Sequence, residues 1–327
     1  MSELEPPPKN IVEVLPYKDI PFMFWGIVNK YNLTDDNIED IPEKNIDTHS
    51  SYYNLNNKLC SQYCYNSPLR RKRPRLIREN LDTKLQDPFQ QIIDGKHWSI
   101  FVVDGVKPIE GSIFSRKPVK RKISREYKAI TIINQYSAGV RILDVDNTTR
   151  QKIGPYNKMV NLVSLVTNNY EKLEETPKQD LSELLQSMSE GIKLGIKEIK
   201  KNTGTDKIAI IPFLNIGDQA GASQKRLHSQ VYMDLNDNCY GLKYDAICRN
   251  FKHGCSICDE KYEKVKRGKK INRLVYLNET FKLYFPETQI RNFTLECAPI
   301  EHISSIIDLT KKQFDDLADV LIMAFNG

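Results

Sequence analysis

Asn215–Tyr232 reads N-I-G-D-Q-A-G-A-S-Q-K-R-L-H-S-Q-V-Y, and it follows an apolar run, Ile208–Leu214 (I-A-I-I-P-F-L), whose length and composition predict a buried strand. A second strand over Leu227–Tyr232 sets His228 and Gln230, two residues apart, on one face, because side chains alternate along a strand. The small residues ahead of them let backbone N–H groups approach an anion closely. An imidazole, an amide and a bare loop together suit a phosphate. The rest of the chain is read around a strand, loop and strand that carry this site.

Outward from there, 327 residues leave room for two ordinary domains or one large pseudo-repeated one. At 40% hydrophobic and 28% charged, the composition is that of a globular protein. No apolar run approaches the roughly 20 residues that span a bilayer, so no membrane segment is predicted. The start, M-S-E-L-E-P-P-P-K-N, has no apolar core of the kind a secretory signal needs, which predicts a cytoplasmic location. A net charge of +6 permits an anionic ligand without by itself arguing for nucleic acid. Seven cysteines, an odd number, argue against a disulfide framework. Four of them stand in close pairs, Cys60 with Cys64 and Cys255 with Cys258, a spacing that raises metal binding.

Taken in order, Ile20–Tyr31 is an apolar, aromatic patch, and Asp35–Lys58 is polar and predicts loop. Arg70–Arg75 (R-R-K-R-P-R) fits a phosphate-binding or nuclear-targeting patch, but a basic run this short is more often a solvated linker face, and that reading is preferred. Asp87–Val103 predicts a hairpin turning at Asp94-Gly95, with a second turn at Asp104-Gly105. Tyr127–Val140 and Met159–Val166 predict strands. A helix is expected to open at Thr176-Pro177, with Thr176 as N-cap. Leu181, Leu184, Leu185, Met188, Ile192, Ile196 and Ile199 keep helical spacing, which makes that face core and Met188 a packing residue. Asn202-x-Gly204 ends the helix. Lys261–Lys270 is a basic, helix-like run. Asn272–Leu277 and Phe281–Phe285 predict paired strands around Asn278-Glu279, followed by a strand at Phe293–Ala298. A last amphipathic helix begins at Leu309-Thr310, with Phe314, Leu317, Val320 and Leu321 on one face. The fold class is therefore α+β.

The run N-x-G-x-x-A-G-A-S followed by H-x-Q resembles the active-site signature of galactose-1-phosphate uridylyltransferase and its relatives, the transferase branch of the histidine-triad superfamily, which includes diadenosine-tetraphosphate phosphorylases. The family's H-x-H-x-Q falls here on Arg226, Leu227, His228, Ser229 and Gln230, so the first His is replaced by Arg226. Asp87-Pro88 with Trp98 resembles the family's D-P…W segment, and Asn134-Gln135-Tyr136 its strand-ending N-K-F/Y. Cys255-x2-Cys258, Glu279 with Phe281, Pro299-x2-His302 and Asp308-Leu309-Thr310 resemble the start of the second half in bacterial and archaeal members. The likeness covers roughly 85–327 and strengthens from about 205. Residues 1–80 read as an N-terminal extension, partly loop.

The resemblance implies two histidine-triad-like halves, each an antiparallel sheet with a packed helix: 81–235 with the active-site motif, and a short 236–327. It implies a nucleotidyltransferase in which His228 attacks an α-phosphorus and forms a covalent nucleotidyl intermediate, with Gln230 on a phosphate oxygen. Asn134, Asn215, Gly217, Gly221, Ala222, Ser223 and Arg226 are the implied nucleotide or phosphate contacts, Arg226 either as a clamp or as a solvated cation filling a lost metal ligand's place. The substrate would be a nucleotide sugar or a dinucleoside polyphosphate. Two other readings remain: a nucleotide hydrolase of the same fold, and a non-catalytic member binding nucleotide or RNA, for which the basic runs Arg70–Arg75 and Lys261–Lys270 would matter. A homodimer is compatible with the family. The first-half zinc set is missing as a group, with Asn169-Tyr170 and Arg226 at ligand positions, and Cys60 and Cys64 are a displaced remnant at most. In the second half Cys255, Cys258 and His302 suggest one structural zinc, with His253 near in sequence as a fourth ligand. Two free core thiols are the ordinary alternative there. No organic cofactor is implied.

Overall fold

A computed structural model describes residues 50–54, 61–65, 87–114, 118–134, 159–206, 208–217, 220, 222, 224–235, 254–255, 257–286 and 294–326. Ile20–Tyr31, Cys60, Arg70–Arg75, Gln135, Tyr136, Gly221, Ser223, Tyr240–Asn250 and His253 lie outside the described residues. Among the described residues no helix is long and apolar enough to cross a membrane.

The architecture is α+β with antiparallel sheets and packed helices, as the element pattern predicts. The main sheet runs β4 (Lys107–Pro108), β3 (Phe101–Asp104), β5 (Ala129–Ile133), β6 (Met159–Val166), β8 (His228–Asp234) and β7 (Ala209–Leu214), every neighbour antiparallel. Two strands precede it: β1 (Ser50–Asn54) pairs with β2 (Ser61–Tyr65), so part of the expected loop Asp35–Lys58 is strand. The tyrosines of S-S-Y-Y-N and S-Q-Y-C-Y favour extended backbone over the polar-loop reading.

α2 (Lys178–Thr203) lies across one face of the main sheet. Its buried stripe Leu181, Leu184, Leu185, Met188, Ile192 and Ile199 meets Val102, Ala129, Val160, Leu162, Val231 and Met233. The approach is close at Gly195, where a Cβ would stand 2.5 Å from the sulfur of Met233. Gly204 closes the helix in the left-handed region at φ 73°, its N–H donating to the Lys200 carbonyl. The start differs from expectation by one residue. Pro177 occupies the N-cap position, while the Thr176 hydroxyl donates back to the Lys172 carbonyl at 2.9 Å. With no side-chain cap, the first turn relies on Asp180.

Glu198 on α2 is buried, and its carboxylate accepts from the N–H groups of Gly111 and Ile113, the latter at 3.0 Å. This pins the 3-10 turn Ser112–Phe114 to the helix. Burial pushes the carboxyl above its usual range of 4.5 despite those amides. Its folded pKa therefore exceeds the unfolded one, and its contribution is fullest below about 4.5 and declines as pH rises through the folded value. Glu198→Ala orphans two amides and is expected to lower stability by about 2 kcal/mol in urea unfolding. Glu198→Gln should flatten the pH dependence of stability above that range.

The other face of the sheet carries a second apolar cluster, Phe101, Ile130, Ile132, Val163 and Leu165, covered by α1 (Pro88–Ile93) through Ile92 and Ile93. This corrects the expected hairpin over Asp87–Val103, whose first arm is helical. Asp87 accepts from the Phe89 N–H at 2.9 Å, and Pro88 sits in the first turn, so capping overrides the strand preference of Ile-Ile.

A separate three-stranded sheet, β11 (Leu274–Leu277), β12 (Phe281–Tyr284) and β13 (Glu296–Pro299), packs Phe281 and Leu283 on Val320 of α3 (Lys311–Asn326). Phe314 and Ala318 of the same helix enter the core against α2, and the Ser182 hydroxyl donates to Asp315 at 2.6 Å. Lys261–Lys270 is not helical. β9 (Glu263–Lys266) and β10 (Lys269–Asn272) form a hairpin turned at Arg267-Gly268, both at positive φ, a geometry that the -R-G- pair and the β-branched Val265 and Ile271 favour over helix.

Candidate active site

β8 places the two sequence-predicted chemical groups as alternation requires. His228 opposes Leu165 and Gln230 opposes Val163 on β6, so both lie on the α1 face, while Val231 and Met233 point to α2. Both are buried, at 5% and 7% exposure. His228 Nδ1 lies 2.8 Å from the Arg226 carbonyl. A carbonyl only accepts, so in the neutral ring Nδ1 bears the proton and the lone pair falls on Nε2. The ring also rests on Phe89 of α1, with centroids 5.1 Å apart. The Gln230 amide oxygen accepts from Asn134 Nδ2 at 3.3 Å. Asn134 leaves the end of β5, and its N–H donates to the Asn161 carbonyl at 2.8 Å. The structure thus brings His228, Gln230 and Asn134 together on one sheet face.

Asn161 was not singled out in the sequence. It sits on β6 two residues before Val163, fully buried, and neither side-chain polar atom has a hydrogen-bond partner among the described residues. A buried amide in that state is costly and calls for a ligand or water. The polar Asn within an otherwise apolar M-V-N-L-V was the signal that could have found it.

The glycine loop follows β7. Asn215 and Ala222 are half-buried, and Gly217, at φ 78°, is exposed. The Gly217 carbonyl accepts from the N–H groups of Ala220 and Ala222 at 3.2 and 3.3 Å. The Ala222 amide is therefore turned inward and is not presented to a phosphate as expected.

Arg226 is corrected more sharply. It is neither a solvated cation nor a clamp facing the loop: its side chain is 1% exposed. Nε donates to Asp87 at 2.6 Å, the NH1 group to the carbonyls of Val166, Thr167 and Asn168 at 3.0, 3.3 and 2.9 Å, and the NH2 group to Gln90. One side chain ties α1 and the end of β6 to the residue whose carbonyl holds the His228 ring. The pairing of Arg226 with Asp87 and Gln90 was not read from the sequence, since a contact between positions 87 and 226 has no local trace.

Away from the main sheet, ligand atoms of Cys255, Cys258 and His302 lie within 4.8 Å of one another and could hold a metal ion. The Cys258 N–H points at Cys255 Sγ (3.4 Å), and Cys258 Sγ lies 3.3 Å from His302 Nδ1. Burial resists ionisation of Cys255, yet the hydrogen bonds from Cys258 and the Ile257 N–H outweigh it and draw the thiol below its usual range. Its bond with Cys255 holds Cys258 above. Lys282, 3% exposed, reaches back from β12 to the Ile257 carbonyl at 3.1 Å and steadies the turn between the two cysteines. The group borders a cavity of about 610 Å³ that Cys297, Glu301 and Ser304 also line.

No protein-family model matches the chain, and no curated protein matches it. Solved structures do. An ADP-glucose phosphorylase from Arabidopsis thaliana with bound ADP-glucose is 17% identical, with a TM-score of 0.50 and a match over 85% of this chain and 76% of that one. The chain has the fold of that ADP-glucose phosphorylase. A uridylyltransferase is 20% identical at a TM-score of 0.46, over 61% of this chain and 62% of that one. A GalT-like protein from Arabidopsis thaliana is 19% identical at 0.46, over 61% of each. The match thus spans under two thirds of the length of these last two relatives. The phosphorylase fold bears out the resemblance to the uridylyltransferase branch at the level of fold.

Proposed function

We propose that this chain is a nucleotidyltransferase that passes a nucleoside monophosphate between phosphorylated donors through His228. The observation that carries the proposal is the His228 ring, buried on the sheet face and hydrogen-bonded through Nδ1 to the Arg226 carbonyl. That contact leaves Nε2 as the nucleophile. It attacks the α-phosphorus and forms an Nε2–P bond as the bond to the leaving phosphate breaks and that group departs with the electron pair. A second phosphate acceptor then displaces the imidazole, which returns to its starting protonation. Gln230 holds a non-bridging phosphate oxygen. Asn215, Gly217, Gly221 and Ser223 shape the phosphate loop, with the Ser223 hydroxyl as donor. Asn134 takes ribose or base, and the unpartnered Asn161 amide supports a polar ligand on this face. The bound ADP-glucose of the phosphorylase of this fold favours a nucleotide sugar as donor. We assign the chemistry to 81–235 and a supporting role to 236–327.

The test is intact-mass measurement after incubation with a panel of nucleotide sugars and dinucleoside polyphosphates. A gain of one nucleoside monophosphate, discharged on adding a phosphate acceptor, is the expected result. Turnover to free monophosphate without any acceptor would favour the hydrolase, and no mass gain or turnover with any donor would leave only the non-catalytic reading.

We assign Cys255, Cys258 and His302 to a structural zinc, since two thiols and an imidazole suit that ion. Bound there, zinc would fasten the cysteine turn to the segment after β13. One equivalent of Co²⁺ is expected to bind with thiolate charge-transfer absorbance, lost in Cys258→Ser. An unchanged spectrum in that variant would remove the assignment.

A further inference from the structure

We infer that the β9–β10 ribbon is a docking surface for the phosphate backbone of a nucleic-acid strand. The ribbon is a two-stranded sheet of its own. Lys269–Asn272 is exposed along its whole length, and Val265 and Ile271 stand 73% and 36% exposed. Residues 261–273, K-Y-E-K-V-K-R-G-K-K-I-N-R, carry seven cations, of which Arg273 is taken up at the base of the ribbon, and one carboxylate, Glu263, which is bonded to Lys270 at 2.9 Å. Such a density of one sign is what a polyanion complements.

The base of the ribbon is held firmly. Arg273 donates to the carbonyls of Phe285 and Lys261 at 2.6 and 2.7 Å and pairs with Glu260 at 2.6 Å. These contacts fix the root of the ribbon to the start of β11 and the end of β12.

The second, independent observation is at the tip. Arg267 is the one non-glycine residue at positive φ among the described residues, at 50°. A turn of this type favours Asn or Gly there, so a long exposed cation has been kept where a small residue would be more comfortable. Backbone strain retained at an exposed position points to a use for the side chain. The ribbon shares no strand with the sheet that carries His228, and its partner is a nucleic-acid strand bound through its phosphates.

Fluorescence anisotropy of a labelled oligouridylate and of the matching oligothymidylate, with the full chain, tests it. Binding that weakens steeply with salt is expected for at least one of them. Arg267→Asn should weaken it several-fold and reduce the salt slope by about 0.7 for one lost phosphate contact on a single strand. Because Asn suits the turn, its melting temperature should be unchanged or higher. Arg267→Asn combined with Lys269→Gln should weaken binding further. Wild-type affinity in the double variant overturns the inference. So does equal competition by polyaspartate, which would point to an acidic protein, and so does a binding loss that merely follows a lowered melting temperature.

Discussion

His228→Ala is expected to abolish nucleotide transfer, with kcat/KM falling by about 10⁴-fold or more and no nucleoside monophosphate retained in the intact mass. A covalent two-step route has no substitute for its nucleophile, so the loss lies in kcat and added substrate does not restore it. The neighbouring amide behaves differently. Gln230→Ala removes a donor to a phosphate oxygen and should cost about 10²-fold, leaving a detectable adduct. Retained transfer in His228→Ala would sink the mechanism. The variant needs a stability control, because the ring is buried against Phe89. Urea unfolding within about 1–2 kcal/mol of wild type would show that the lost activity is chemical.

Arg226→Ala is expected to be the most destabilising single change in the main sheet, by about 3–5 kcal/mol in urea unfolding. Removing the guanidinium strands Asp87, Gln90 and the carbonyls of Val166, Thr167 and Asn168 at once. Asp87 is a quarter exposed and can recruit water, which keeps the figure from rising further. Arg226→Lys should recover only part of the loss, because an ammonium has three donors and no planar fork. Arg226→His should not restore stability either, since an imidazole cannot span from Asp87 to the end of β6. A loss under about 1 kcal/mol for Arg226→Ala would show that the cluster is not needed. The same variants should also slow transfer, because the Arg226 carbonyl is the acceptor that orients the His228 ring.

The parts of this molecule that were legible in its sequence are those settled by local periodicity. Met159–Val166 is a strand end to end, the Leu181–Ile199 stripe is the buried face of α2, and the antiparallel pair around Asn278-Glu279 forms as expected. His228 and Gln230 share a face because a strand leaves them no other choice. Asp87–Ile93 was misread because two isoleucines suggest extended chain, whereas an Asp cap and a proline fix the first turn of a helix. The basic hairpin was misread because lysines are good helix formers, and only the Arg-Gly turn says otherwise. Arg226 was recognised as the odd member of its motif, but its role could not be read. Five hydrogen-bond partners drawn from Asp87, Gln90 and the end of β6 are a property of tertiary packing.

The α3 helix carries a consequence for how the molecule comes apart. It is a party wall: Phe314 and Ala318 belong to the room shared with α2, and Val320 to the room shared with β12. Tyr276 and Thr280 donate to Asp319 and Asp316 on the same helix, at 2.7 and 2.5 Å, while Ser182 donates to Asp315. Neither sheet can shed its cover without uncovering the other. Heat or denaturant should therefore melt the two sheets in a single transition, and a ligand bound at either one will protect both.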